Sequence, residues 1–202
     1  MEVVGSVPSM ATVMMHAVAS LDGFIADEND DVGPLFDWYF NGDRPLSDGG
    51  PFGVSEASHA YVRPMWDSIR VTIQGRRLFD QTNGWEANPP AGEHLFVVSH
   101  RPKPEGWHPE ADVPFFDDVE AAVTEARRRA GDGVVAICAG EMGGSALAAG
   151  LVDVVAIDVV PVVFGSGRRY FGSVDGQHLL EDPDVVVQGD RVLHLRYPVR
   201  RR

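Results

Sequence analysis

The chain has a single cysteine, Cys138, in 202 residues, which excludes an intramolecular disulfide and fits a reducing compartment. Cys138 lies in the apolar run Val134–Ala139 with no basic neighbour, the setting of a small core residue rather than a nucleophile. No apolar stretch reaches the roughly 18–20 residues that a membrane span needs. The first ten residues lack the basic start and long apolar core of a secretory leader. The expectation is a cytoplasmic protein with no membrane partner. Positive charge is scarce too: 17 Lys and Arg against 30 Asp and Glu leave a formal net charge of −13. Binding a phosphate backbone needs clustered cations, so nucleic acid is not an expected partner. One phosphorylated small ligand in a local basic pocket is still compatible with that charge. The seven histidines show no His-x-x-x-His spacing, so no metal site is expected. Neither a Gly-x-Ser-x-Gly elbow nor a Gly-Lys-Ser/Thr phosphate loop is present.

What is present is ordinary globular composition, 44% hydrophobic and 23% charged, in a length that suits one domain over 1–202. Residues 1–10 carry no pattern and are expected to be flexible. Thr12–Ala19 is apolar with β-branched residues and reads as a buried strand, broken by Ser20-Leu21-Asp22-Gly23. Ile69–Gly75, Leu95–Ser99, Val113–Phe116, Val134–Ala139 and Val154–Val163 read as further strands. Helices are predicted over Ser55–Trp66, from Arg76, over Asp117–Ala130 and over Glu141–Ala149. Of these, Asp117–Ala130 is the clearest, with an Asp cap at its start, Arg127, Arg128 and Arg129 in its last turn, and Gly131 as its stop. Val185–Gln188 and Val192–Tyr197 flank Gly189-Asp190 as a hairpin. Alternating strands and helices closed by a hairpin predict an α/β fold: a mostly parallel central sheet, helices on both faces and a C-terminal antiparallel edge. The stretch 28–54 fits none of these elements. It is too polar and Gly-rich for a core element, and with Phe36, Trp38, Tyr39 and Phe40 too aromatic for a linker, so it reads as a lid-like insertion over a pocket.

Ligands in such sheets bind beyond the carboxyl ends of the strands, where helix N-termini offer free N–H groups to an anion. Three junctions carry suitable residues. Gly75-Arg76-Arg77 puts two guanidiniums at a helix start, where they oppose the dipole unless an anion binds; a surface ion pair to Asp80 or Glu86 accounts for them equally well. Ser99-His100-Arg101 is either a site for a ribose 2′-phosphate or an ordinary polar loop. Ala139-Gly140-Glu141-Met142-Gly143 sets glycines between strand and helix, where backbone amides approach a pyrophosphate, though without the Gly-x-Gly-x-x-Gly spacing. Asp22, at the end of the first strand, is placed to orient a ligand or relay a proton, or else to cap the turn before Gly23.

Taken in order, Val18–Ala26, Gly75–Asp80 with Asn83-Gly84-Trp85, Leu147–Asp153 and Val160–Phe171 resemble the dihydrofolate reductase-like proteins related to the reductase domain of bifunctional riboflavin-biosynthesis proteins. The resemblance covers most of the chain, from about Thr12 to Tyr197. It implies a dihydrofolate reductase-like fold that binds NADPH, and a homodimer. It places the pyrophosphate at Gly75, Arg76 and Arg77, and the 2′-phosphate at Ser99, His100 and Arg101. The turn Ala139, Gly140, Glu141, Met142 and Gly143 then runs along the pyrophosphate and nicotinamide, which Ala19 and Ile25 line. Leu78 departs from the Thr frequent in relatives, and 28–54 has no counterpart in true dihydrofolate reductases. The function expected is an NADPH-dependent reductase of a small heterocycle of pteridine, pyrimidine or flavin kind. Asp22 would be its catalytic polar group, and Trp38 and Tyr39 would join it against the substrate. The alternative is a non-catalytic NADP(H)-binding module.

Overall fold

The computed structural model describes residues 11–200; the expected flexibility of 1–10 lies outside the described residues. In chain order the strands are β1 (Thr12–Ser20), β2 (Phe24–Ala26), β3 (Arg44–Pro45), β4 (Gly53–Val54), β5 (Ile69–Gly75), β6 (His94–Val98), β7 (Phe115–Phe116), β8 (Val134–Cys138), β9 (Val154–Val160), β10 (Arg168–Arg169), β11 (Val185–Gln188) and β12 (Leu193–Pro198). The α-helices are α1 (Glu56–Ser68), α2 (Arg76–Thr82), α3 (Val119–Ala130) and α4 (Glu141–Ala148). Eight strands form one sheet in the order β11-β12-β9-β1-β8-β5-β6-β7. Neighbours from β9 to β7 run parallel, while β12 and β11 add an antiparallel edge.

Strand alternation sorts the sheet into two faces. Val13 and Met15 of β1, Val71 and Ile73 of β5, Val135 and Ile137 of β8 and Val155 of β9 pack under α3 and α4. Met14 and Val18 of β1, Ala136 of β8, and Ala156 and Val160 of β9 turn to the other face, toward α1 and the stretch before it. Helices therefore cover both faces, as the pattern predicts. Asp118 caps α3 by accepting the Ala121 N–H at 2.8 Å, and Ser55 caps α1 by accepting the Ser58 N–H at 3.4 Å. Arg127 in the last turn of α3 ties that helix to Asp153 at 2.9 Å, and Asp153 in turn accepts the Val13 N–H at 2.9 Å.

Two expectations change. β9 ends at Val160 rather than Val163, because Pro161 has no N–H and the Val162 N–H folds back to the Val160 carbonyl at 2.8 Å. Val155, Ala156 and Val160 are buried in the core, in a strand paired on both sides by β1 and β12. Residues 28–54 are also more ordered than their composition suggests. Gly33–Phe40 is a 3-10 helix, β3 and β4 pair beside it, and Leu35, Trp38, Leu46 and Val54 are at most 1% exposed. The apolar residues are spaced so that one face of this polar stretch is buried, which an average over its composition hides. It forms a second, smaller core with Val18, Val62, Val160 and Val192.

The sheet order positions a site. The strand after β1 in the chain's run of parallel strands is β5, on one side, whereas β8, which lies next to β1, is followed by β9 on the other. Connections leaving adjacent strands in opposite directions open a crevice at their carboxyl ends.

Candidate active site

A cleft of about 760 Å³ occupies that crevice. Its walls are His16, Ala17 and Val18 of β1, Ala136–Ala139 at the end of β8, the first residues of α2 and α4, and Val32, Phe36 and Tyr39 from the 3-10 helix and its lead-in. Ile25, Gly75, Arg76, Arg77, Ala139, Gly140, Glu141, Met142 and Tyr39, all expected at the site from sequence, meet here.

One end of the cleft brings together the starts of α2 and α4. Gly140 is the N-cap of α4 at φ +98°, a conformation that favours glycine, and no side chain caps the helix. A Cβ at Gly140 would sit 3.4 Å from Ile25 Cδ1, narrowing the cleft. Gly75 caps α2, again without a side-chain partner, and Arg76 and Arg77 follow. Both arginines are paired. Arg76 Nε donates to Asp80 at 2.7 Å and Arg76 Nη1 to the Pro102 carbonyl at 2.9 Å. Arg77 reaches Asp30 at 2.9 Å, and Arg168 from β10 reaches the same carboxylate at 2.6 Å. The hydrogen bond from Arg168, then the charge of Arg77, outweigh desolvation and hold Asp30 below the usual carboxylate range. Asp30 thus lies between two guanidiniums at the cleft wall, where an anionic ligand would compete with it.

The residues expected around a 2′-phosphate lie beyond this rim. Arg101 pairs with Asp80 at 2.5 Å, Ser99 Oγ donates to the Arg101 carbonyl at 2.7 Å and accepts its N–H at 3.0 Å, and His100 is exposed. None of the three lines the cleft wall. Gly143 is inside α4, where a Cβ would meet the Cys138 carbonyl at 2.7 Å; its bareness serves close helix–strand packing. Ala19 is 0% exposed in the core under α3 and α4, on the strand face opposite Val18.

Asp22 is used by the turn. Its carboxylate accepts the Ser20 hydroxyl at 2.6 Å and the N–H groups of Phe164 and Gly165 at 3.1 and 2.7 Å. The Ser20 hydroxyl, then those backbone donors, lower it to about 2, so it is an ionised acceptor that pins 164–165 to the end of β1. Trp38 faces the core, 1% exposed and stacked on Tyr39 at 4.0 Å between ring centroids; it props Tyr39, which does line the cleft.

The other end of the cleft is apolar and aromatic, with Phe36, Tyr39, Trp66, Ile69 and Trp85. Trp85 stands in a left-handed turn: Asn83, Gly84, Trp85, Glu86 and Ala87 all have φ between +47° and +61°. Left-handed backbone costs roughly 1–2 kcal/mol per residue away from glycine. Gly84 has to be bare, since a Cβ would meet Phe79 at 2.6 Å and Trp107 at 2.7 Å. Strain held this close to a cleft commonly serves function.

The floor holds a group that sequence reasoning missed. His16 Nε2 contacts Asp158 Oδ2 at 2.9 Å, His194 Nδ1 contacts Asp158 Oδ1 at 2.6 Å, and His194 Nε2 contacts Ser58 Oγ at 2.9 Å. Burial raises the Asp158 carboxyl, but the charge and hydrogen bond of His16 and the hydrogen bond of His194 overcome it and leave Asp158 lowered to about 2. A signal was available. Asp158 is the one charged residue in the strand Val154–Val160, and a carboxylate within a buried strand needs a partner. Cys138, beside His16 on β8, is pushed up to about 12 by burial and is a thiol. Among the described residues no cluster of three or more His, Cys, Asp or Glu fits a metal ion.

The profile of the RibD C-terminal domain family matches residues 11–194, and the chain belongs to that family, among the oxidoreductases. No protein with a curated description matches it. Several solved structures share its fold. A protein from Shewanella sp. PV-4 named for riboflavin biosynthesis is 17% identical, with a TM-score of 0.69 over 94% of this chain and 99% of its own. A diaminohydroxyphosphoribosylaminopyrimidine deaminase/5-amino-6-(5-phosphoribosylamino)uracil reductase from Thermotoga maritima is 16% identical, with a TM-score of 0.59 over 95% of this chain and 57% of its own. Dihydrofolate reductase from Enterococcus faecalis, complexed with NADP(H), is 16% identical, with a TM-score of 0.56 over 96% of this chain and 100% of its own. The fold is therefore dihydrofolate reductase-like.

Proposed function

We propose that the chain is an NADPH-dependent reductase that transfers a hydride to a small heterocycle of pteridine, pyrimidine or flavin kind. The observation that carries this is the division of a single cleft: bare helix starts and arginines at one end, apolar and aromatic walls at the other. A dinucleotide needs both, since its phosphates take N–H groups and guanidiniums and its rings take apolar surface. The residues fit the cofactor. The N–H groups at the start of α4 and the side chains of Arg76 and Arg77 would hold the pyrophosphate, with Ile25 and Ala139 beside the nicotinamide. Arg101, with Ser99 and His100, would take the 2′-phosphate by exchanging Asp80 for it. When bound, the cofactor supplies the hydride. Tyr39 and Trp85 would hold the substrate ring, with Trp38 behind Tyr39, and Asp22 would keep the turn beside them in place. The same reading includes a cytoplasmic homodimer. The uncovered edge strand β11 and the exposed Leu179 and Val186 support the dimer, which sedimentation checks. No described helix is long and apolar enough to cross a membrane.

Titration with NADPH and with NADH, followed by tryptophan fluorescence, tests the proposal. NADPH should bind well ahead of NADH, and Arg101→Ala should remove most of that preference. Binding of neither nucleotide would overturn the reading.

A further inference from the structure

The hydrogen-bond chain under the cleft has a direction set by its hydroxyl groups. Ser55 Oγ accepts the N–H groups of Ser58 and Asp190, each at 3.4 Å, which leaves its own hydrogen for Ser58 Oγ at 3.2 Å. Ser58 then donates to His194 Nε2 at 2.9 Å. His194, which is 0% exposed, therefore carries its hydrogen on Nδ1 and gives it to Asp158 Oδ1: the neutral tautomer. Asp158 is an ionised carboxylate only 2% exposed, and a charge so buried needs an opposite charge beside it. With His194 neutral, that charge falls to His16. Its Nε2 is committed to Asp158, its Nδ1 has no protein partner among the described residues, and its ring lines the cleft.

The other ionisable groups packed here do not compete. Tyr39, Tyr61 and Tyr170 are kept neutral by burial, reinforced by the charge of Asp158. Cys138 is a thiol, and Arg196 is closed on Asp184 at 2.9 Å.

We propose that His16 is the proton donor of the reduction, with Asp158, His194 and Ser58 as positioning residues that fix its charge and its aim. This rests on the reductase reading and narrows its substrates to compounds whose reducible C=N or C=O bond turns its nitrogen or oxygen toward the floor of the cleft. When bound, a reduced nicotinamide nucleotide would supply the hydride to the carbon and be oxidised by it, and the π electrons would move to the heteroatom. The proton on His16 Nδ1 completes the new N–H or O–H bond, and His16, left neutral, regains a proton from water.

The test compares wild type with His16→Gln, whose amide still donates to Asp158 but carries no mobile proton, and with Asp158→Asn and Ser58→Ala. Nitrogen-15 NMR of the imidazoles should show the His194 hydrogen on Nδ1 and slow to exchange. Ser58→Ala should move the His194 resonances, and Asp158→Asn those of both rings. A hydrogen on His194 Nε2, or a His16 ring blind to Asp158→Asn, overturns the proposal. This measurement needs no substrate and decides the charge arrangement by itself. With NADPH and dihydrofolate or riboflavin as probes, His16→Gln should bind NADPH as wild type does and turn over about 10²–10⁴-fold more slowly. An unchanged rate overturns the assignment. Failure of wild type to bind NADPH would instead overturn the reductase reading and leave the imidazole result standing.

Discussion

At the wall of the cleft, Arg77 and Arg168 share Asp30 in reach of water; at its floor, His16 and His194 share Asp158 out of it. Both are one carboxylate between two cationic or protonatable side chains, and their consequences differ because the surroundings do. In water the ions of the first group are screened, and their pairing contributes little, typically up to about 1 kcal/mol. That weakness would let an anion take the place of Asp30. At the floor, desolvation makes each unmade bond expensive, so the group is fixed in one arrangement and suits directed proton transfer rather than exchange.

The largest effect that sharpens this contrast is at the floor. Asp158→Asn leaves the buried imidazoles without their carboxylate and is expected to cost about 3–5 kcal/mol in urea unfolding. The pH dependence has a definite sign. A carboxylate whose folded pKa is lowered contributes stability above its unfolded value and loses it as pH falls through the folded one. Wild type should lose stability between about pH 4 and about pH 2, on top of losses from other carboxylates, and Asp158→Asn should lose less over that range. A variant as stable as wild type, with the same acid limb, would mean the floor behaves like the wall.

A smaller effect is expected at the anion end. Arg77→Ala should leave unfolding nearly unchanged and weaken NADPH by about ten- to a hundredfold, the worth of a charged hydrogen bond. Isothermal calorimetry at two salt concentrations checks it, since losing one phosphate contact also flattens the salt dependence. Unaltered affinity and salt slope would leave Arg77 as a surface ion pair.

The two regions were not equally legible in the sequence. The anion end was, because each of its parts is local: a strand, a glycine and a helix start with arginines lie within a few residues at Gly75–Arg77 and at Ala139–Met142. The ionic alternative for Arg76 is present as well, since Asp80 is its partner four residues on. The floor was hidden because its members lie 142 and 36 residues apart and meet only through the strand order β12-β9-β1. The burial of Trp38 was hidden for a related reason. In Gly33–Phe40 only Leu35, Trp38 and Tyr39 are buried while Phe36 is exposed, and that partition depends on what packs against the segment rather than on its composition. Asp22 stands just past the end of β1, but its partners at 164–165 follow β9 in the chain, so its use in the turn was visible only in part.

The smallest effect expected in stability is the most informative about the wall. Asp30→Asn removes the carboxylate that Arg77 and Arg168 share, and unfolding should change by no more than about 1 kcal/mol. Its effect on ligands should run opposite to that of Arg77→Ala. With the internal competitor gone, the two guanidiniums gain positive potential, and inorganic pyrophosphate and NADPH should bind several-fold more tightly, most clearly at low salt, where screening is weak. Asp30 also belongs to the stretch that carries Val32, Phe36 and Tyr39 to the cleft, so a structural role predicts the reverse, with weaker binding and a blunted tryptophan response. The sign of the change in affinity therefore separates a carboxylate that stands in for the ligand from one that holds the wall in place.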